Sequence, residues 1–178
     1  LLAGTLSFGG DREMQAADAP YLGSLPKGRV FAWGRGDYAE TNVPASLTNA
    51  VFINASEDFI NNFAIRSDGV AVSWGNQPLD PSNLSNIVAI APGVALKNDG
   101  TIIEWNSSGQ TSPVFGMTNI SAITPRGRAI ALQSNGTVIA WPGYSHLIAE
   151  DFTNITAIAA GIEHVTVLRD DGTVAQMP

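Results

Sequence analysis

Cysteine is absent from the 178 residues. That removes a disulfide scaffold, a thiolate metal site and a cysteine nucleophile at once, while leaving the compartment open. Charge is scarce too: 14% of residues are Asp, Glu, Lys or Arg, against about a quarter in ordinary globular chains. With 44% hydrophobic residues, this excludes a disordered segment or a coiled coil. The nine basic residues are scattered among sixteen acidic ones, for a net charge of −7. A surface that tracks phosphates needs clustered Lys and Arg, so nucleic acid is not an expected partner. Long apolar runs are missing as well. The best of them, residues 87–96, is broken by Pro92 and Gly93 and falls short of the ~20 residues that span a bilayer, so no membrane insertion is expected. Leu1 in place of Met predicts a processed, trimmed or partial chain, and residues 1–10 lack the basic start of a signal peptide.

What the chain does have is glycine (18) and proline (10), the punctuation of a turn-rich β protein, and an internal repeat. Four segments share a pattern: Ala64-Ile65-Arg66-Ser67-Asp68-Gly69, Ala95-Leu96-Lys97-Asn98-Asp99-Gly100, Ala131-Leu132-Gln133-Ser134-Asn135-Gly136 and Val167-Leu168-Arg169-Asp170-Asp171-Gly172. The turn glycines are 31, 36 and 36 residues apart, and five residues beyond them stand Trp74, Trp105, Trp141 and, in the last copy, Met177. Lys27-Gly28-Arg29-Val30-Phe31-Ala32-Trp33 repeats the second half of the pattern with the same offset. A second marker interleaves: Leu47-Thr48-Asn49, Leu84-Ser85-Asn86, Met117-Thr118-Asn119 and Phe152-Thr153-Asn154, each before a short apolar run.

Asp-Gly or Asn-Gly between two apolar runs predicts a hairpin with a type I′ turn, in which both central residues take φ > 0. Counting outward from such a two-residue turn pairs Leu96 with Ile103, Val94 with Trp105, Ile130 with Trp141 and Phe63 with Trp74. One face is then bulky, and the other carries the small Ala64, Ala95 and Ala131. The Asn-led runs, such as Ile87-Val88-Ala89-Ile90 and Ile155-Thr156-Ala157-Ile158, supply a third strand. Three or four short strands in ~36 residues, with a Trp and Gly signature, predict an all-β chain of propeller-like blades; stacked hairpins in a β-solenoid are the competing architecture. Residues 1–26 read as a degenerate N-terminal strand and connector, followed by units near 27–49, 50–86, 87–119, 120–154 and 155–178. Trp33, Trp74, Trp105 and Trp141 are expected to be buried between units.

Leu84-Ser85-Asn86-Ile87-Val88-Ala89-Ile90-Ala91, Gly161-Ile162-Glu163-His164, Asp171-Gly172-Thr173-Val174, Trp33-Gly34 and Trp74-Gly75 resemble the regulator of chromosome condensation repeat. The short period is most similar to its bacterial branch, which includes a secreted propeller-type β-lactamase inhibitor protein. The resemblance spans roughly residues 27–177 and implies a propeller that presents one ring face to a protein partner. Family rings are typically seven-bladed; here four copies and a half-unit leave closure with about five blades, closure through a second chain, or a place in a longer protein all open.

Motifs that carry chemistry are few. Gly34-Arg35-Gly36-Asp37-Tyr38-Ala39 has the glycine spacing of a dinucleotide loop, but Thr41-Asn42-Val43-Pro44 reads as extended where a helix should start, so no cofactor is expected. Arg35-Gly36-Asp37 reads as a chance tripeptide in a connecting loop. His146 and His164 lack metal-ligand spacing; His164 sits on a repeat position and reads as structural. Glu57-Asp58 and Glu150-Asp151 read as solvated loop tips, and Asp170-Asp171 as turn chemistry. No catalytic, metal or cofactor residue is therefore assigned, and a non-enzymatic role is expected. The residues that break the repeat are the partner-binding candidates: Tyr38, Phe59, Arg126, Arg128, Tyr144 and His146, types enriched where binding energy concentrates and set on variable loops. Sequons at Asn54, Asn83, Asn106, Asn119, Asn135 and Asn154 exceed the about two that chance gives from thirteen Asn and 26 Ser or Thr, which favours an extracellular or cell-surface, glycosylated protein; a bacterial protein with Asn-rich turns is the alternative reading. Two functional classes follow: a non-catalytic module that binds a protein partner through its loops, or a structural subunit whose incomplete propeller a neighbouring chain completes.

Overall fold

The repeated x-Asp/Asn-Gly loops and the apolar runs around them build thirteen strands and no α-helix among the residues that the structure, a computed structural model, describes. These are 27–34, 36–55, 61–76, 78, 84–91, 93–106, 110–124, 130–140, 152–160 and 164–177. The strands form four separate antiparallel sheets, the blades of a β-propeller. The first holds β1 (Ala50–Ala55), β2 (Asn61–Arg66) and β3 (Ala71–Gly75). The second holds β4 (Ile87–Ala91), β5 (Val94–Lys97), β6 (Ile102–Trp105) and a short fourth strand, β7 (Thr111–Pro113). The third holds β8 (Ile120–Ile123), β9 (Ile130–Gln133) and β10 (Val138–Ala140), and the fourth β11 (Ile155–Ala160), β12 (Val165–Arg169) and β13 (Val174–Met177). The Asn-led runs are the first strands, and each carries one register shift two residues in, as between Ile87 and Ala89.

The hairpins differ from expectation by one residue. Lys97 N–H donates to the Thr101 carbonyl (2.9 Å) and Gly100 N–H to the Lys97 carbonyl (3.0 Å), which closes a three-residue loop rather than a two-residue one. Only the glycine is left-handed, with φ of 77° at Gly69 and Gly100 and 82° at Gly136 and Gly172; the preceding Asp or Asn is not. Its side chain instead accepts the amide two residues on, as Asp99 Oδ1 does from Thr101 N–H (2.9 Å) and Asn135 Oδ1 from Thr137 N–H (3.0 Å). That Asx bond selects a type I turn closed by a left-handed glycine in place of type I′.

A one-residue slip moves each side chain on the second arm to the other face. Leu96 therefore faces Ile102, Ala95 faces Ile103, and Phe63 faces Ser73 rather than Trp74. Trp74 shares its face with Ala64 and Val72, and Trp105 with Ala95 and Ile103, so the large indole lies beside the small alanine. The opposite face of each blade carries Phe63, Ile65 and Ala71, or Leu96 and Ile102, all buried.

These two faces meet between blades. Trp105 of the second blade packs on Phe63 of the first, while Trp74 packs with Leu47, Ala50 and Ala64 toward Val30 and Val43. A backbone joint accompanies each meeting. The N–H of the first residue in a blade donates to the turn-glycine carbonyl of the unit before it: Ala50 to Gly28 (3.2 Å), Ile87 to Gly69 (2.8 Å), Ile120 to Gly100 (3.1 Å) and Ile155 to Gly136 (3.1 Å). The preceding Asn86, Asn119 and Asn154 are left-handed (φ 59°, 57° and 60°), and their carbonyls accept an amide from their own blade's turn. Residues 27–33 thus dock against the first blade through the Gly28–Ala50 bridge. Trp33, expected in the core, is 75% exposed, whereas its counterpart Trp74 is 6% exposed. The reason is the direction of the Trp face: Trp74 has a unit in front of it and Trp33, among the described residues, does not. Trp105 is half-buried, and Trp141 lies outside the described residues.

Candidate functional site

Of the six loop residues singled out by sequence, Tyr38 is the one within the described structure; Phe59, Arg126, Arg128, Tyr144 and His146 lie outside the described residues. Tyr38 occupies a double turn just before Asn42-Val43-Pro44. Ala39 N–H donates to the Gly36 carbonyl (3.3 Å) and Asn42 N–H to the Ala39 carbonyl (3.0 Å). Ala39 takes φ 65°, a conformation costly for a residue with a Cβ, and the surroundings hold it there. Glu40 does so at both ends. Its carboxylate accepts the Tyr38 N–H (2.7 Å), and its carbonyl accepts both the Asn62 side-chain amide (2.9 Å) and the Trp74 indole N–H (2.9 Å). Two side chains of the first blade therefore pin the loop, and one is the buried Trp of the repeat. Tyr38 stands 49% exposed on this support. An aromatic held on a pinned loop loses little rotamer or backbone freedom when it binds, which is the property of a binding anchor.

A second feature lies at the outer end of the second blade. Glu104, Trp105, Asn106, Gln110, Thr111 and Ser112 line an open, polar cleft of about 540 Å³. Its amides are engaged with each other: Asn106 Nδ2 donates to Gln110 Oε1 (3.2 Å), and Gln110 N–H to Asn106 Oδ1 (3.1 Å).

Among the described residues, two turn aspartates are shifted. The Thr101 hydroxyl, at 2.5 Å, and then the Thr101 amide hold the Asp99 carboxyl below the ordinary aspartate range. Asp171 is lowered in the same way by the Thr173 hydroxyl (2.6 Å) and amide (2.8 Å). These carboxylates cap turns. Among the described residues no three of His, Asp and Glu converge as a metal cluster, and His164 is exposed.

The asparagines of five of the six sequons are described residues. Asn106, Asn119, Asn135 and Asn154 are exposed, and Asn54 is half-buried with its Nδ2 donating to the Ile90 carbonyl (3.3 Å); Asn83 lies outside the described residues. Sequence reasoning missed the exposed stripe of Phe31 and Trp33 and the exposed pair Leu168 and Val174. The signal for the first was present, since residues 27–33 carry only the second half of the repeat.

No family model and no curated protein matches the chain. Solved structures do. Prp20p from Saccharomyces cerevisiae, described with its binding properties to Gsp1p and histones, is similar over 88% of this chain and 55% of its own, with a TM-score of 0.61 at 14% identity. Yeast RCC1 (Prp20) bound to Kap60 is similar over 99% of this chain and 59% of its own, with a TM-score of 0.67 at 13% identity. Human WBSCR16 is similar over 84% of this chain and 56% of its own, with a TM-score of 0.58 at 14% identity. The chain shares the fold of these RCC1-like propellers and spans a little over half the length of each.

Proposed function

We propose that this chain is a non-catalytic protein-interaction module of the regulator of chromosome condensation repeat family, from its short-repeat bacterial branch, working outside the cell or at its surface. The observation that carries the reading is Tyr38, an exposed aromatic on a loop pinned through Glu40 to Asn62 and Trp74. The likeness to propellers reported with Gsp1p, histones and Kap60 supports a protein as the class of partner; their individual partners are not transferred. The repeat supplies a structural role for most of its distinctive residues, since the Asp and Asn close turns and Trp74 and Trp105 fill joints. Phe59, Arg126, Arg128, Tyr144 and His146 stay partner-binding candidates on their sequence alone, and no cofactor is proposed. The exposed asparagines of the sequons at Asn106, Asn119, Asn135 and Asn154 support an extracellular location.

The test is comparative capture with wild type, Tyr38→Phe and Tyr38→Ala. A partner retained by the first two and lost by Tyr38→Ala, at an unchanged melting temperature, supports the reading. Retention of the same proteins by Tyr38→Ala, or a fall in melting temperature large enough to explain the loss, contradicts it.

A further inference from the structure

Three copies of the repeat carry Asp before the turn glycine, at Asp68, Asp99 and Asp171, and the third blade carries Asn135. Of the thirteen asparagines, Asn135 is the one that precedes a glycine, and it is exposed. An amide nitrogen whose own residue has no Cβ meets the least crowding when it closes a ring on the preceding side chain. In the folded turn both reacting groups are tied. Gly136 N–H donates to the Gln133 carbonyl (2.9 Å), and Asn135 Oδ1 accepts the Thr137 N–H (3.0 Å). Gly136 also belongs to the joint between the third and fourth blades. Its carbonyl accepts the Ile155 N–H (3.1 Å), and a Cβ placed on it would stand 3.2–3.3 Å from the backbone of Asn154 and Ile155.

We propose that Asn135 is a self-modification site, deamidating when its turn opens, to an aspartyl residue that the repeat accepts or an isoaspartyl residue that breaks the joint to the fourth blade. The Gly136 nitrogen loses its proton and bonds to Asn135 Cγ, and Nδ2 leaves as ammonia, which gives a cyclic imide. Water then opens the ring. Attack at Cγ leaves an aspartyl residue; attack at the main-chain carbonyl of position 135 leaves an isoaspartyl residue, with the main chain running through the former side chain. Either route exchanges one ammonia for one water and adds one negative charge. The aspartyl product has its place prepared. Asp99 and Asp171 accept both the hydroxyl and the amide of the threonine two residues on, and Thr137 stands at that same offset. The isoaspartyl product instead adds a methylene to the main chain ahead of Gly136. Backbone of the fourth blade closes that side, so Gly136 cannot then keep its bonds to Gln133 and Ile155 together. Tyr38 takes no part in this chemistry.

The test ages the whole chain, produced without N-glycans, at mildly alkaline pH, once folded and once in denaturant. Ion exchange separates the products, and peptide mass mapping with enzymatic methylation of isoaspartate locates them. Deamidation is expected at Asn135 in both samples, and slower in the folded one by roughly tenfold or more, because only the opened turn reacts. Asn135→Asp is expected to release no ammonia from this position and to melt with wild type at neutral pH. The isoaspartyl fraction of the aged chain is expected to melt clearly lower than either. Asn135 left intact in the folded chain while other asparagines convert overturns the proposal. So do equal rates in the folded and unfolded samples, an isoaspartyl fraction that melts with wild type, or an Asn135→Asp variant that melts well below it.

Discussion

Phe63 and Trp105 meet across the joint between the first and second blades, ring centroids 5.7 Å apart and planes tilted by 47°. One ring comes from the face with the large residues and the other from the face with the alanines, so a single contact ties two sheets that share no strand pairing. Such a pair contributes about 0.5–1.5 kcal/mol beyond its buried area. Phe63 is buried on all sides. Phe63→Ala is expected to cost about 3–5 kcal/mol in denaturant unfolding, and a double-mutant cycle with Trp105→Ala to show coupling. Additive single costs would mean that the two rings act independently.

The turn glycines separate backbone strain from contact with the next blade. Gly100 and Gly172 are both left-handed, at φ 77° and 82°, so Ala costs each about 1–2 kcal/mol in conformation. At Gly100 the new Cβ also meets Asn119 Cα and Ile120 N at 3.2 Å, whereas at Gly172 it meets nothing. Gly100→Ala is expected to lower the melting temperature clearly more than Gly172→Ala. Equal losses would place the cost in the turn alone.

Acid sensitivity should follow the Asx turns. Asp99 and Asp171 are held below the ordinary aspartate range, first by a threonine hydroxyl and then by its amide. A folded pKa below the unfolded one gives stability that is present above the unfolded value and lost as pH falls through the folded one, from about pH 4 downward. Asn keeps the acceptor oxygen, as Asn135 does at the same position. Asp99→Asn with Asp171→Asn is expected to leave the neutral melting temperature nearly unchanged and to flatten its fall below about pH 4. An acid limb as steep as wild type would show that the lowered carboxyls are not its source.

The strands, the hairpins and the repeat were legible because their signals are local: a turn glycine, an apolar run and a left-handed Asn recur within a few residues. The register was not. The x-Asp-Gly stretch suits a two-residue or a three-residue loop, and the choice rests on whether the Asp side chain caps the amide two residues on, as Asp99 does for Thr101. Burial of the Trp set was half legible. The motif gives Trp33 and Trp74 equivalent positions, but whether such a position is covered depends on the unit in front of it. Tyr38 stood out as a break in the repeat. Its support could not be foreseen, because Glu40 is bound by residues 22 and 34 positions away.

That dependence on a covering neighbour is the centre of this account, and Trp33 and Trp74 test it most directly. Both sit five residues after a glycine of the repeat, Gly28 and Gly69, yet one is 75% and the other 6% exposed. Single-tryptophan variants, with Phe at the other three positions, report each indole in turn by iodide quenching in dilute solution. The expected result is free quenching of Trp33 and protection of Trp74, with Trp74 losing its protection on unfolding. Equal protection of the two in the dilute monomer, or an accessible Trp74, would contradict it.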